Sequence, residues 1–280
     1  LRMEGKATQL PIGTALAASW NPKLVRELYT MEGQELYRND VDTLLGPGVN
    51  IHRHPLNGRN FEYYSEDPYL SGTIAVASTG GIKDGGAWGT IKHFALNGQE
   101  SHRFKIDAVC SERAIRQIYL KTFEMAVKAG TVKTLMTAYN PINGHWAASN
   151  YDLCTTILRN EWGYDGIVMT DWWAKMNDVV EGGEESNKDT RDMVRSQNDL
   201  YMVVNNNGAE VNSNNDNTEE SVKEGKLTVG ELQRAAINIC NFILSAPVIE
   251  RELVDTDVAK HYDSVPNDQA KYEVFNIEKD

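Results

Sequence analysis

An aspartate closes a short apolar run in the segment Gly163-Tyr-Asp-Gly-Ile-Val-Met-Thr-Asp171-Trp172-Trp173. The run 166–170 reads as a buried strand, which puts Asp171 at its C-terminal end with an indole directly after it. In barrels and doubly wound α/β proteins, that end of a strand carries the chemistry. A carboxylate beside an aromatic platform suits sugar chemistry, because the apolar face of a pyranose packs on an indole while the carboxylate meets the anomeric carbon. Taken alone, the segment reads at least as well as a core strand followed by an aspartate that caps a helix.

Other strand ends tip the balance. After the run at Leu44-Leu45 comes Gly58-Arg59-Asn60-Phe61-Glu62; after 88–91 comes Lys92-His93; at the end of 135–138 comes Tyr139. Singly, each has a plain reading: Lys92 solvated, His93 a satisfied core imidazole, Arg59 in a loop ion pair. Together, four strands deliver Arg59, Lys92, His93, Tyr139, Asp171 and Trp172 to one rim. Several donors, a carboxylate and an aromatic floor suit a small ring with many hydroxyls. Gly46-Pro47-Gly48 lacks a following Lys-Ser/Thr, and no GxGxxG follows a strand, so no nucleotide cofactor is expected. Cys110, Cys154 and Cys240 are far apart and form no zinc-ligand spacing, so they read as isolated thiols with no metal.

The elements that must position these residues alternate. A helical pattern covers 21–39, with Leu24, Leu28, Met31 and Leu36 near one face. Strands are expected at 42–45, 88–94, 132–139, 166–170 and 200–204. Ser111 caps a helix with Ile115, Ile118, Tyr119, Thr122 and Ala126 inward, ended by Gly130. A helix covers 152–162, and an asparagine-rich loop covers 205–217. Thr228 caps the last long helix, with Leu232, Ala235, Ala236, Ile239 and Ile243 inward. Apolar, non-alternating strands between helices mean a parallel sheet, and their count favours a (β/α)8-type TIM barrel. The barrel domain is expected over 1–248, and 249–280 reads as a polar linker or C-terminal arm.

The chain has 280 residues and a formal net charge of -12. No basic stripe suggests a nucleic-acid partner. No apolar run reaches the roughly 18 residues of a membrane span. The start, Leu1-Arg2-Met3-Glu4-Gly5, has neither signal-peptide architecture nor an initiator methionine, which suggests a beginning inside a longer protein. Cytoplasmic and secreted locations both stay open.

At the rim residues the chain strongly resembles glycoside hydrolase family 3, of the β-glucosidase and β-xylosidase type. The matching text is Leu45-Gly-Pro-Gly-Val-Asn50, Gly58-Arg-Asn-Phe-Glu-Tyr-Tyr-Ser-Glu-Asp-Pro-Tyr-Leu-Ser-Gly72, Lys92-His-Phe-Ala-Leu-Asn-Gly-Gln-Glu100, Met136-Thr-Ala-Tyr-Asn140 with Asn143-Gly144, and Glu161-Trp-Gly-Tyr-Asp-Gly-Ile-Val-Met-Thr-Asp-Trp172. The resemblance implies a (β/α) barrel and a retaining, exo-acting β-glycosidase that releases terminal β-D-glucosyl residues. It implies Asp171 as nucleophile. It also implies that Arg59, Lys92, His93 and Tyr139 bind the first sugar's hydroxyls, that Met136 lines the pocket and that Trp172 lies against the ring.

Two departures matter. The family's Asp-Gly-Pro-x-Gly-x-Arg segment is represented only by its tail, Leu1-Arg2, which makes Arg2 a substrate-binding candidate and the barrel incomplete at its N-terminus. The family's acid/base glutamate usually comes from a separate α/β sandwich domain, and about thirty residues after the barrel are too few for one. The expected partners are therefore a β-linked oligosaccharide or glucoside and a missing sandwich domain. The single-domain β-N-acetylglucosaminidase branch fits poorly, since Ala95-Leu96-Asn97-Gly98-Gln99-Glu100 replaces its His-bearing loop. Within the chain, Glu62, Glu66 and Glu100 are the carboxylates available as a second catalytic group. Glu66 reads better as part of a cap, and Glu62 and Glu100 as orienters of basic residues. Arg59, Lys92 and His93 are expected as cations that keep Asp171 ionised. The alternatives are a carbohydrate-binding fragment without turnover, β-xylosidase specificity, and an aldolase-type barrel with Lys92 as a Schiff base.

Overall fold

A computed structural model describes residues 7–202 and 212–250. Two helices come first, α1 (Gly13–Ala18) and α2 (Pro22–Arg38). Asn21 caps α2, its Oδ1 accepting from Leu24 N at 3.1 Å. The inward residues of α2 are Val25, Leu28, Tyr29 and Leu36, whereas Leu24 is exposed, contrary to the expected stripe. The chain then alternates: β1 (Thr43–Leu44), α3 (Pro68–Asp84), β2 (Trp88–Phe94), then α4 (Glu112–Ala114) running through a π turn (Ile115–Tyr119) into α5 (Lys121–Lys128), and β3 (Thr134–Thr137). A hairpin of β4 (Pro141–Ile142) and β5 (His145–Trp146) follows, then a π-helical stretch (Asp152–Glu161) and β6 (Ile167–Met169). A second hairpin pairs β7 (Met176–Asp178) with β8 (Gly182–Ser186), ahead of α6 (Thr190–Arg195), α7 (Thr218–Lys223) and α8 (Val229–Ser245).

Strands β1, β2, β3 and β6 form one parallel sheet in that order, and Leu200 bridges Met169 beyond β6. The rest of the expected strand at 200–204 falls partly outside the described residues, as do most of the asparagine-rich loop, Arg2 and nearly all of the expected C-terminal arm. The parallel sheet is as anticipated, but among the described residues it does not close into a barrel.

Successive residues of a strand face opposite ways. Ile91, Leu135 and Val168 are in register and point to the main core, where Phe94, Phe123, Ile74 and Leu158 also lie. The opposite face carries Lys92, Met136 and Met169 in one row. Below it, Thr43, Thr90 and Thr134 join through hydroxyl contacts of 2.9–3.1 Å. This second face is covered by α8, whose Ile239 and Phe242 pack against Met136, Ile167 and Met169. Trp88 Nε1 donates to Ser245 O at 2.9 Å and Val248 N to Asp42 Oδ1 at 2.8 Å, fixing the far end of α8 under the start of β1 and β2.

Thr228 and Glu231 form a reciprocal capping box at the start of α8. Its inner residues are Leu232, Ala235, Ile239 and Phe242, while Ala236 and Ile243 of the expected stripe are exposed. Ile118 is exposed as well, and Phe123 takes the buried place on the next turn. A buried ion pair locks the sheet to these helices. Arg159 Nη2 lies 2.6 Å from Asp199 Oδ2, which also accepts from Val168 N at 2.9 Å, and Asn238 Nδ2 holds Asp199 Oδ1 at 2.8 Å.

Candidate active site

Asp171 lies two residues past the end of β6, after Thr170, and is buried. No helix starts there: the chain turns through Trp172 and Trp173 into the β7–β8 hairpin, which removes the helix-cap reading. Trp172 N donates to Asp171 Oδ1 at 2.8 Å, and the Tyr139 phenol lies near enough to the carboxylate to act on its charge. Burial pushes the Asp171 pKa up, while the Trp172 N–H, Tyr139, Lys92 and Arg59 work against that rise. Burial, reinforced by the charge of Asp171, holds the Tyr139 phenol well above its ordinary value.

His93 Nε2 lies 3.6 Å from Asp171 Oδ2. Burial, reinforced by Arg59, Lys92 and Arg103, pushes the His93 pKa well below 6.5. His93 is therefore neutral, which corrects its expected role as a cation. Its backbone is clamped by Asn50, whose Nδ2 donates to His93 O and whose Oδ1 accepts from His93 N, both at 2.9 Å. The Lys92–His93 peptide is cis, and the β2–β3 register shifts between Lys92 and Phe94.

Arg59 arrives on the loop between β1 and α3. Its Nε and Nη2 each lie 2.8 Å from Glu62 Oε2, and Lys92 Nζ lies 3.3 Å from Glu62 Oε1. One carboxylate thus aims two cations from different elements. Burial alone would raise the Glu62 pKa, but Lys92 and Arg59 outweigh it and hold the group below its ordinary range. Glu100 does similar work: Arg103 Nη1 lies 2.7 Å from its Oε2 and Arg59 Nη1 lies 3.7 Å from its Oε1. Both carboxylates are bound as orienters of basic residues. An ammonium paired with Glu62 is also not the desolvated amine that a Schiff-base lysine requires. Asp67 caps α3 by accepting from Leu70 N at 2.6 Å, which is the expected role of the Glu66-Asp67-Pro68 turn.

Met136 is buried with Ile167 and Met169, and Trp172 packs against this group, so Met136 lies in the layer beneath the indole. The structure thus gathers Arg59, Lys92, His93, Tyr139 and Asp171, with Arg59 and Lys92 joined through Glu62, His93 facing Asp171, and Met136 beneath Trp172. It adds residues that sequence reasoning passed over. The Arg103 guanidinium stacks on the Tyr139 ring at 4.7 Å, and Phe104 packs on the same ring at 4.4 Å between centroids. Tyr63 and Asn97 lie behind His93. Arg103 and Phe104 follow Lys92 by about ten residues on an irregular loop, where no periodicity marks them. Tyr63 and Asn97 stood inside matched motifs, but a contact 30 residues apart in sequence leaves no spacing signal. Among the described residues no group of three or more His, Cys, Asp or Glu is placed to share a metal ion, and no helix is long and apolar enough to cross a membrane.

A buried strand-end carboxylate thus stands with a histidine and a tyrosine beside it and carboxylate-paired cations on the neighbouring elements. The chain belongs to glycosyl hydrolase family 3: the family model described as its N terminal domain matches residues 1–242. A β-glucosidase of Ruminococcus albus is 50% identical over 255 residues, covering 91% of this chain and 26% of that protein. An exo-α-(1→6)-L-arabinopyranosidase of Bifidobacterium breve is 37% identical, covering 98% of this chain and 34% of that protein. Among solved structures, a β-glucosidase from Paenibacillus barengoltzii is 69% identical with a TM-score of 0.86, covering 87% of this chain and 26% of that one. β-Glucosidase 3B from Thermotoga neapolitana, in complex with glucose, is 38% identical with a TM-score of 0.78, covering 91% of this chain and 35% of that one. The chain spans about a quarter to a third of the length of these relatives.

Proposed function

We propose that this chain forms the nucleophile-bearing domain of a retaining, exo-acting β-glycosidase of the β-glucosidase type. Its substrate is a terminal, non-reducing β-D-glucosyl residue. Asp171 attacks the anomeric carbon to give a covalent glycosyl-enzyme, which water then cleaves. The observation that carries this reading is a buried aspartate at a parallel strand's end that accepts from the Trp172 N–H and faces His93 Nε2 at 3.6 Å. Arg59, Lys92, His93 and Tyr139 bind ring hydroxyls, Arg2 joins them, and Trp172 supports the ring.

Two further elements of the reading rest on the length of the relatives. The acid/base carboxylate comes from sequence outside the described residues, in a second α/β domain, because Glu62 and Glu100 are spent on Arg59, Lys92 and Arg103. The sheet belongs to a (β/α) barrel that the described residues represent in part. The arabinopyranosidase relative makes the hydroxyl pattern of the preferred pyranose the open variable, so aryl β-D-glucoside, β-D-xyloside and α-L-arabinopyranoside should be assayed side by side.

The deciding experiment uses the full-length protein carrying Asp171→Gly. Turnover of an aryl β-glucoside should be nearly abolished. Added azide should enter the vacated space and yield an α-glycosyl azide. A β-azide product would make Asp171 the acid/base, and near-normal turnover would remove it from catalysis.

A further inference from the structure

His93 has two ring nitrogens in different settings, and its neutral state leaves one proton to place. Nδ1 lies 3.1 Å from the Tyr63 hydroxyl, and Nε2 lies 3.6 Å from Asp171 Oδ2. Which nitrogen holds the proton depends on whether Tyr63 donates or accepts, and the chain behind Tyr63 decides it. Asn97 Nδ2 lies 3.0 Å from the Tyr63 oxygen and 3.3 Å from Glu100 Oε1. An ionised carboxylate only accepts, so the amide must turn its NH2 toward Glu100. That NH2 can only donate to Tyr63. The phenol oxygen is then an acceptor on that side, and its single hydrogen is free for His93 Nδ1. In the opposite arrangement Nδ1–H would donate as well. Tyr63 would then accept twice and keep a buried O–H with no acceptor, at the cost of its desolvation.

We propose that Tyr63, oriented by Asn97 and Glu100, is a positioning residue that holds neutral His93 with its hydrogen on Nε2, so that the imidazole offers a donor, not a lone pair, to the Asp171 side of the site. Its catalytic meaning rests on the function proposed above. Burial keeps the phenol protonated, since it moves the Tyr63 pKa well above its ordinary value. At 3.6 Å the Nε2–H does not close a hydrogen bond with Asp171, so it remains available to a substrate oxygen beside the nucleophile. The reverse tautomer would set a lone pair against the carboxylate and leave a sugar hydroxyl to act as donor. Asn50 fixes the backbone of the same residue and Tyr63 fixes its proton, so both the position and the polarity of the imidazole are set by groups behind it.

The test is the nitrogen-15 spectrum of the full-length protein labelled at histidine, with His93 assigned by its loss in His93→Gln. We expect a protonated Nε2 and a pyridine-like Nδ1. In Tyr63→Phe the Nδ1 partner is gone, and we expect a shift toward the other tautomer together with a fall in kcat/KM of about ten- to a hundredfold on an aryl β-glucoside. A wild-type spectrum with the proton on Nδ1 overturns the proposal, and so does a Tyr63→Phe protein whose tautomer and kcat/KM are both unchanged. Should Tyr63→Phe fail to fold, the wild-type spectrum decides alone. An Nε2–H signal in a protein that hydrolyses no glycoside would support the tautomer and refute the proposed activity, so the two can fail separately.

Discussion

Glu62 is the residue whose removal best separates positioning from acid catalysis. Glu62→Gln keeps the side-chain shape but turns one oxygen into an NH2. That NH2 must face either Arg59, now 2.8 Å away, or Lys92, now 3.3 Å away, so a donor meets a donor. A hydrogen bond to a charged group contributes about 1.5–3 kcal/mol. Both cations keep some access to solvent, so we take the lower part of that range, about 2 kcal/mol, equivalent to roughly 4–8 °C in melting temperature for a domain of this size. The folded Glu62 pKa is lowered, so its contribution is complete above the unfolded carboxylate value of about 4.3. It is lost as pH falls through the folded value, and the deficit of the variant should shrink in acid.

The kinetic arm compares an activated aryl β-glucoside with an alkyl β-glucoside. If Glu62 aims Arg59 and Lys92, both substrates lose kcat/KM together, by about a hundredfold for a misplacement near 1 Å. If Glu62 were the proton donor, the alkyl substrate would suffer by about 10²–10⁴ and the activated one would be spared. A variant that melts and turns over like the parent on both substrates would show that Glu62 does not hold these cations, and the site description would have to be redrawn.

Gly48→Ala should act on the same carboxylate from outside, because an added Cβ would lie 2.7 Å from Glu62 Oε1 and 2.8 Å from the Tyr63 ring. Overpacking of this kind costs about 1–3 kcal/mol, and kcat/KM should fall with it; a silent variant in thermal melts and kinetics would refute the close packing. Asp199→Ala should destabilise by about 3–5 kcal/mol in denaturant titration, since it strands Arg159 in a buried setting, and a loss under about 1 kcal/mol would refute that role. Glu32→Gln should stabilise the protein at pH 8 and change little near pH 4.5. Burial and Glu35 raise the Glu32 pKa to about 7, so the folded state holds a proton that the unfolded state has released between about 4.3 and 7, and stability drops as pH rises through that window. Equal melting shifts at both pH values would contradict it.

Much of this was legible because it is local. Ser111 and Thr228 cap helices through side chains that reach three residues ahead, as expected, and β2 spans 88–94 as its apolar run indicates. The rim residues were legible because a parallel strand's C-terminal end is a position in sequence as well as in space. The inward face of α8 was legible in part: Leu232, Ala235 and Ile239 face inward as expected, whereas Ala236 and Ile243 are exposed and Phe242 is inward instead. That helix carries apolar residues nearly all round, with Ile237 and Leu244 exposed away from Ile239 and Ile243 exposed near its own end, so periodicity alone could not fix the edges of the buried stripe. A barrel incomplete at its N-terminus was expected, but what covers the open sheet among the described residues was not legible. Nothing in the spacing shows that a helix, pinned by Trp88 and Asp42, would cover the inner face among the described residues.

The neutral state of His93 completes the electrostatic logic of the site. Arg59, Lys92 and Arg103 stand against Glu62, Glu100 and Asp171, three cations against three carboxylates. In the proposed reaction positive charge develops on the sugar ring at the transition state. A fourth cation at His93, 3.6 Å from the nucleophile, would oppose that charge and compete with the ring for Asp171. Burial against three existing cations removes it at no expense in hydrogen bonding, because a neutral imidazole still donates from one nitrogen and accepts at the other. In that proposed reaction the paired cations would bind hydroxyls while Asp171 meets the anomeric carbon. The division depends on Glu62 staying ionised, which is why neutralising Glu62 should damage catalysis even where the fold survives.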